Sequence, residues 1–205
     1  MKVKAVIFDL DGTITQPFLD FDVIREQMGL DKGAGPILEA MEKMQPPQRR
    51  QAEGILYMHE QKAVQESRLN EGAKRTLQGL RDSGIAVGVL TRNRKANVLA
   101  VAAMHGLHFD VVVDRDDGPA KPDAFGVLEI CRRLGVMPDE TLVVGDYLFD
   151  LQSARSAGAV SVFFAGHRQA AEFAEYADFT VSRLEDILDI VSDTEPLGGQ
   201  MRERR

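Results

Sequence analysis

The stretch that decides the fold is Val3-Lys4-Ala5-Val6-Ile7-Phe8-Asp9-Leu10-Asp11-Gly12-Thr13-Ile14-Thr15. Its β-branched and apolar start is too short for a typical helix and is bounded by a glycine, which predicts a strand buried on both faces. Carboxylates at the end of such a strand would lie at the rim of a parallel sheet, where open α/β sheets bind ligands. Because like charges repel unless a cation or a shared proton relieves them, Asp9 and Asp11 predict half of a cation site.

The composition is that of an ordinary globular protein. The 205 residues are 44% hydrophobic and 28% charged, which suits one large domain or a core with a smaller insertion. The formal net charge of −7 disfavours nonspecific binding to nucleic acid or to acidic membranes. No apolar run approaches the roughly 20 residues that span a bilayer, and no signal-peptide pattern is present. We therefore expect a cytoplasmic monomer or homodimer without a nucleic-acid or membrane partner.

Residues 16–69 differ from the rest of the chain because their pattern is largely helical. Helix breakers divide them into predicted helices that end near residues 29, 44 and 68. We interpret this segment as a small helical cap subdomain inserted after the first strand. Its polar residues could contact a substrate, although a solvated helix face explains each more simply. They are Arg25, Arg49, Arg50, His59 and Lys62.

From Asn70 onward, predicted strands and helices alternate. Asn70 is expected to cap a helix that starts at Glu71. Further strands are predicted over residues 85–90, 109–113, 141–145, 160–164 and 179–181, with helices between them, including one near 169–176. This alternation predicts an α/β fold, a Rossmann-like doubly wound parallel sheet, with a core domain of residues 1–15 and 70–192. Residues 193–205 are interpreted as a flexible tail.

The remaining chemistry also lies at strand ends. Thr91 follows the second predicted strand, Asp146 and Asp150 follow the fourth, and Lys121 lies in a loop. Singly, these residues are explained as helix caps or as a solvated lysine. Together with the first acid pair, however, the carboxylates would repel strongly without a hard cation such as Mg²⁺, which prefers oxygen ligands. A hydroxyl and an ammonium are donors suited to phosphoryl oxygens, so the set predicts phosphoryl transfer.

These residues resemble the motifs of the haloacid dehalogenase (HAD) superfamily, in the same order. The matching segments are Asp9-x-Asp11-Gly12-Thr13, Thr91, Lys121-Pro122 and Gly145-Asp146-x-x-x-Asp150. The insert is similar to the α-helical cap of subfamily I, the phosphoglycolate phosphatase-like and β-phosphoglucomutase-like members. Arg92 departs from the pattern, because an asparagine often follows the hydroxyl residue. It is a candidate to face the phosphate, with solvent as the alternative.

The resemblance implies a role for each motif residue. Asp9 would be the nucleophile, and Asp11 would protonate the leaving oxygen and later activate water. Thr91 and Lys121 would bind the phosphoryl group. The Asp9 carboxylate, the main-chain carbonyl of Asp11 and Asp146 would hold Mg²⁺. Asp150 would hold the waters of the cation or position the neighbouring groups.

The leading hypothesis is a Mg²⁺-dependent phosphatase that hydrolyses a small phosphorylated metabolite through an aspartyl-phosphate. A phosphomutase acting on a sugar phosphate is the closest alternative, since it shares the same intermediate. A phospho-Asp signalling module and an inactive scaffold are alternatives from another class. Asp11 disfavours a dehalogenase, and no lysine among Lys32, Lys43 and Lys62 stands out as the Schiff base that a phosphonatase needs.

Two other residues have simpler interpretations. Cys131 shares a helical stripe with apolar neighbours, which predicts a core position rather than a nucleophile. His167 follows the fifth predicted strand and could face the site, although a surface position is the simpler expectation.

Overall fold

A computed structural model of the chain describes residues 3–31, 33–167 and 173–192. The chain divides into two compact units, one comprising Phe18–Ser67 and the other the remaining described residues. Lys32, the predicted tail and residues 169–172 of the helix predicted near 169–176 lie outside the described residues. None of the described helices is both long and apolar enough to cross a membrane.

The smaller unit is helical. Its described helices are α1 (Phe21–Gln27), α2 (Ile37–Glu42) and α3 (Pro46–Gln65). Asp20 caps α1, because its carboxylate accepts from the main-chain N–H groups of Asp22 and Val23 at 3.1 Å each. The helices bury a small apolar cluster of their own, formed by Ile24, Ile37, Met41, Ala52 and Leu56. That this unit acts as a cap remains a prediction.

The larger unit contains a parallel sheet flanked by helices. Its described strands are β1 (Ala5–Phe8), β2 (Ala86–Leu90), β3 (Val111–Val113), β4 (Thr141–Gly145), β5 (Val160–Phe164) and β6 (Phe179–Val181). Its described helices are α4 (Ala73–Asp82), α5 (Lys95–His105), α6 (Phe125–Leu134), α7 (Leu148–Ala157) and α8 (Asp186–Ser192), with short 3-10 turns at Pro138–Glu140 and Ala174–Tyr176. The strand order is β3-β2-β1-β4-β5-β6, and all pairs are parallel. The predicted α/β doubly wound fold is confirmed.

The core of this unit forms because the strands are apolar on both faces. Ile7, Leu90, Ile130 and Cys131 belong to one buried cluster. The predicted core position of Cys131 is confirmed, since it is 3% exposed. Its burial also raises the pKa of its thiol, as expected for a packing residue rather than a reactive one.

One predicted helix start is wrong. Asn70 does not cap α4; the helix begins at Ala73 behind Gly72, which has a φ of +79° and makes no side-chain cap. The amide of Asn70 instead donates to the carbonyls of Gly12, Thr13 and Thr15. Asn70 is 5% exposed, so its amide needs hydrogen-bond partners. The loop carbonyls supply them, whereas a helix cap would accept from main-chain N–H groups of the helix.

The sheet topology determines where ligands can bind. Phe8 of β1 pairs with Val89 of β2 on one side and with Val144 of β4 on the other. The chain runs from β1 outward to β3 in one direction and then crosses back to β4, so the connections diverge between β1 and β4. A crevice at the carboxyl ends of such strands is the usual ligand site of an open α/β sheet.

Candidate active site

Asp9 lies one residue beyond β1, at the carboxyl end of the strand. Its main-chain N–H donates to the carbonyl of Val144 at 2.9 Å, so the backbone still follows β4 at this point. The residue is 8% exposed. Since neighbouring parallel strands end at the same edge, the register brings Asp146 close to Asp9, as the sequence predicts.

The turn after Asp11 requires glycine. Gly12 has a φ of +98°, a conformation that other residues rarely adopt, and its N–H donates to the carbonyl of Thr15 at 2.9 Å. A Cβ at Gly12 would also lie 2.5 Å from Oδ2 of Asp146. Gly12 therefore allows the Asp11 loop and the carboxylate of Asp146 to approach each other.

Lys121 is the buried cation of the site. Its Nζ lies 2.5 Å from Oδ1 of Asp9 and 2.6 Å from Oδ1 of Asp150, and the residue is 4% exposed. Burial lowers the pKa of Lys121, but the charges of Asp150 and Asp9 outweigh that effect and raise it above its usual range. Lys121 is therefore a permanent positive charge between two carboxylates.

The carboxylates outnumber this cation. Oxygen atoms of Asp9, Asp146 and Asp150 lie within 4.8 Å of one another, and all three residues are buried. Burial raises the pKa of Asp9 well above its usual range, and the charges of Asp150, Asp146 and Asp11 add to the increase, while Lys121 opposes it. Without more positive charge, the cluster disfavours the carboxylate form of Asp9.

A divalent cation fits this donor set. The three groups supply buried carboxylate oxygens at close range, which is the chemistry that Mg²⁺ requires. Lys121 bonds to Oδ1 of Asp9, and since a carboxylate offers about four acceptor sites, the same group has room for a cation as well. Asp150 uses Oδ1 for Lys121 and accepts from the N–H of Tyr147 on Oδ2 at 3.2 Å. These bonds suit Asp150 to positioning its neighbours more than to binding a metal directly.

Thr91 lies in the turn after β2 and is 2% exposed. Its Oγ1 accepts from the main-chain N–H of Asn93 at 3.0 Å, which leaves the hydroxyl proton for donation to a ligand. Arg92 contacts different groups: its guanidinium donates to the main-chain carbonyl of Lys121 and lies over the ring of Phe149, 5.1 Å from the centroid. Arg92 thus connects the Thr91 turn to the Lys121 loop.

Asp11 has a partner to which the sequence assigned no role. Nδ2 of Asn93 donates to Oδ2 of Asp11 at 3.0 Å. Burial raises the pKa of Asp11 above its usual value. The hydrogen bond from Asn93 and the charges of Lys121 and Arg115 oppose this increase without cancelling it. Arg115 also donates to the main-chain carbonyl of Arg92 at 3.2 Å. No local pattern distinguished Arg115 from its polar loop.

Asn70 supports the Asp11 loop from outside the cluster, and His167 contacts Asn70. Besides its bonds to the loop carbonyls, Asn70 places Oδ1 2.5 Å from Nε2 of His167. His167 therefore lies next to the residue that supports the loop. The two residues are 97 positions apart in the chain, so no local pattern predicts this particular contact.

Four of the five polar candidates of the smaller unit contact partners within that unit. Arg25 pairs with Asp22 at 2.9 Å, and Arg49 pairs with Glu53 at 3.0 Å. The ring of His59 contacts Gln27, Lys62 lies over the ring of Phe18, and Arg50 is exposed. A substrate role for any of them remains a prediction.

Comparisons with known proteins agree with the geometry. The sequence profile of the hydrolases described as haloacid dehalogenase-like matches residues 26–158. An uncharacterized hydrolase of Saccharomyces cerevisiae is 29% identical over 93% of this chain and 92% of its own length. A phosphoglycolate phosphatase of Chromobacterium violaceum is 26% identical over 93% of this chain and 97% of its own length.

A solved structure shows the same fold. The crystal structure of a hydrolase from Pseudomonas syringae covers 93% of this chain and 99% of its own, with a TM-score of 0.79 and 19% identity. The similarity extends over nearly the whole chain, and the profile match includes the Thr91, Lys121 and Asp146 motifs.

Proposed function

Since the chain belongs to the haloacid dehalogenase-like hydrolase family, we propose that it is a Mg²⁺-dependent phosphatase acting through an aspartyl-phosphate on Asp9. The substrate is a small phosphorylated metabolite, because relatives such as the phosphoglycolate phosphatase of Chromobacterium violaceum are named for such a compound. The observation that carries the proposal is the 2.5 Å contact between Lys121 Nζ and Oδ1 of Asp9, inside a buried cluster of carboxylates.

Asp9 is the nucleophile. Its bond from Lys121 fixes the carboxylate and stabilises its charge, while Oδ2 is left to attack phosphorus. The new Oδ2–P bond forms as the bond from phosphorus to the leaving oxygen breaks. Water then attacks the phosphorus of this intermediate, which releases inorganic phosphate and restores the carboxylate of Asp9.

Asp11 moves the protons of both steps. In its neutral form it protonates the leaving oxygen, and as a carboxylate it then accepts a proton from the attacking water. Burial raises the pKa of Asp11, which increases the neutral fraction that the first step needs. The loop bonds from Asn70 hold the backbone of the Gly12 turn beside it.

Thr91 and Lys121 bind the transferred group. The hydroxyl of Thr91 has a main-chain N–H on its oxygen and can turn its own proton toward a phosphoryl oxygen. Lys121 supplies a buried positive charge next to Asp9. The guanidinium of Arg92 donates to the main-chain carbonyl of Lys121 and so holds the Lys121 loop. A contact between Arg92 and phosphate would add to this role.

Mg²⁺ would be held by the Asp9 carboxylate, the main-chain carbonyl of Asp11 and Asp146, while Asp150 positions Lys121 and the turn at Tyr147. When bound, Mg²⁺ supplies positive charge that neutralises the carboxylates and the phosphoryl oxygens. The close approach of the buried carboxylate oxygens of Asp9 and Asp146 supports this assignment.

The test is phosphate release from phosphoglycolate, sugar phosphates, nucleotides and an aryl phosphate, with Mg²⁺ and with a chelator. We expect Asp9→Asn to lose at least about a thousandfold in kcat. Asp139→Asn is a matched control, because Asp139 is an exposed aspartate in a 3-10 turn. Rapid acid quenching with labelled substrate should trap phosphate on the wild type and none on Asp9→Asn.

The outcomes separate the alternatives. Release that needs both Mg²⁺ and Asp9 supports the phosphatase. Isomerisation of a sugar phosphate without release would identify a phosphomutase, and a phospho-aspartate that persists for many minutes would identify a signalling module. Mg²⁺ should also raise the melting temperature of the wild type, and Asp146→Asn should reduce this increase, which tests the metal site independently of turnover.

A further inference from the structure

A buried pair of asparagines lies beside Asp11. Asn93 follows the Thr91 turn, and Asn97 is four residues further, in the first turns of α5. Asn93 is 5% exposed and Asn97 is 3% exposed. Buried amides at these positions must satisfy their donors and acceptors, so their hydrogen bonds determine how they are oriented.

The orientation of the Asn93 amide is fixed by its neighbours. Oδ1 of Asn93 accepts from the main-chain N–H of Arg94 at 2.8 Å and from Nδ2 of Asn97 at 2.7 Å. A main-chain N–H can only donate, so the atom facing Arg94 must be the oxygen. The NH₂ group of Asn93 therefore faces Asp11, where it donates to Oδ2 at 3.0 Å.

This donor assigns different roles to the two oxygens of Asp11. Because an amide N–H donates to Oδ2, that oxygen serves as the acceptor in both protonation states. The transferable proton is then carried by Oδ1. We propose that Asn93, oriented by Asn97, is a positioning residue that holds the Asp11 carboxyl so that Oδ1 delivers the proton to the leaving oxygen. The inference rests on the proposed phosphatase function.

Replacing the side chain of Asn93 should leave the phosphate-binding turn intact. The main-chain N–H of Asn93 binds Oγ1 of Thr91, and this bond survives replacement of the side chain. The phosphate-binding hydroxyl is therefore preserved in Asn93→Ala. Such a variant should bind phosphate normally but transfer the proton less effectively.

The test compares phenyl phosphate with p-nitrophenyl phosphate. The two substrates have similar shapes, but p-nitrophenolate is the better leaving group and needs less protonation as it departs. Positioned proton transfer contributes about 10²–10⁴-fold to a rate. We expect Asn93→Ala to lower kcat/KM for phenyl phosphate at least about tenfold more than for p-nitrophenyl phosphate, with KM little changed.

Two other variants complete the experiment. Asn97→Ala leaves the donor on Asp11 in place but removes one group that orients it, so a smaller loss with the same leaving-group dependence is expected. Thr76→Val is the matched control, since Thr76 is a buried polar residue in α4. Thr76→Val should leave the ratio of the kcat/KM values for the two substrates unchanged. Circular dichroism and melting temperature show whether each variant is folded. If Asn93→Ala does not fold, the leaving-group dependence of Asn97→Ala still tests the proposal.

The results distinguish this inference from the function on which it rests. Equal losses with both substrates, or no loss in either asparagine variant, would overturn the positioning role while the wild type still releases phosphate. Absence of release from the wild type would overturn the proposed function and this inference together.

Discussion

Replacing Lys121 by methionine would leave two buried carboxylates without their cation. Methionine approximates the length and volume of the lysine stem, so the main change is loss of the charge and of the 2.5 Å and 2.6 Å bonds to Asp9 and Asp150. Removing one partner of a buried ion pair costs about 3–5 kcal/mol. Because two carboxylates lose their partner here, we expect about 4–5 kcal/mol at neutral pH in the metal-free protein.

The pH dependence of the variant has a defined sign. Burial already raises the pKa of Asp9, and removing Lys121 removes the charge that opposes that increase. The folded variant then binds more protons than its unfolded chain, so its free energy of unfolding falls as pH rises. The loss relative to wild type should be smaller near pH 5 than near pH 8. In the wild type, the raised pKa of Lys121 means that its contribution is lost only as pH rises through that pKa.

The assay is urea unfolding followed by circular dichroism in chelator, with thermal melting beside it. For a chain of this size, about 4–5 kcal/mol corresponds to a melting temperature lower by roughly 8–20 °C. Lys43→Met is the control, since Lys43 is an exposed lysine at the end of α2 and should change stability by less than about 0.5 kcal/mol.

A double mutant tests the physical cause. Asp9→Asn removes one of the charges that Lys121 neutralises, so adding Lys121→Met to it should cost at least about 1 kcal/mol less than adding it to the wild type. The reasoning is refuted if Lys121→Met alone costs less than about 1 kcal/mol, or if the two substitutions are additive.

Three further predictions concern single side chains in the larger unit. Gly12→Ala should lower kcat by about a hundredfold and destabilise the protein by about 1–3 kcal/mol, because of its positive φ and the 2.5 Å approach to Oδ2 of Asp146; steady-state kinetics and urea melts measure both effects. Asn70→Ala removes the NH₂ group whose two protons are shared among three carbonyls of the loop 12–15 and should cost about 2–4 kcal/mol; unchanged hydrogen-exchange protection of that loop would contradict the structural reason. Thr76→Val should stabilise by up to about 1 kcal/mol in urea melts, since the buried Oγ1 has no partner among the described residues.

The motif residues could be found in the sequence because their signals are local. An apolar run predicts a buried strand, and the end of the run locates the acids that follow it, as with Asp9 after β1. The helical insert was visible for the same reason. Whether it acts as a cap stays a prediction.

The contacts of Asn70, Asn93 and Arg115 could not be found in this way. Asn70 resembled a helix cap, because asparagine before a helical pattern usually is one. Its bonds reach residues 55–58 positions earlier in the chain, a relation that no local pattern carries. The contacts of Arg92 with the Lys121 carbonyl and the Phe149 ring also join segments distant in the chain, and a role of Arg92 toward phosphate stays a prediction.

The sequence by itself determined the strands, their buried character and the kind of chemistry at their ends, because these depend on residue type and short spacing. Tertiary structure decided which strands are neighbours, and with it that Lys121 lies between Asp9 and Asp150 and that Asn93 faces Asp11. The physical reason is that burial and charge pairing are properties of the packed sheet. A carboxylate acquires its raised pKa, its cation and its orientation only when residues distant in the chain exclude water around it.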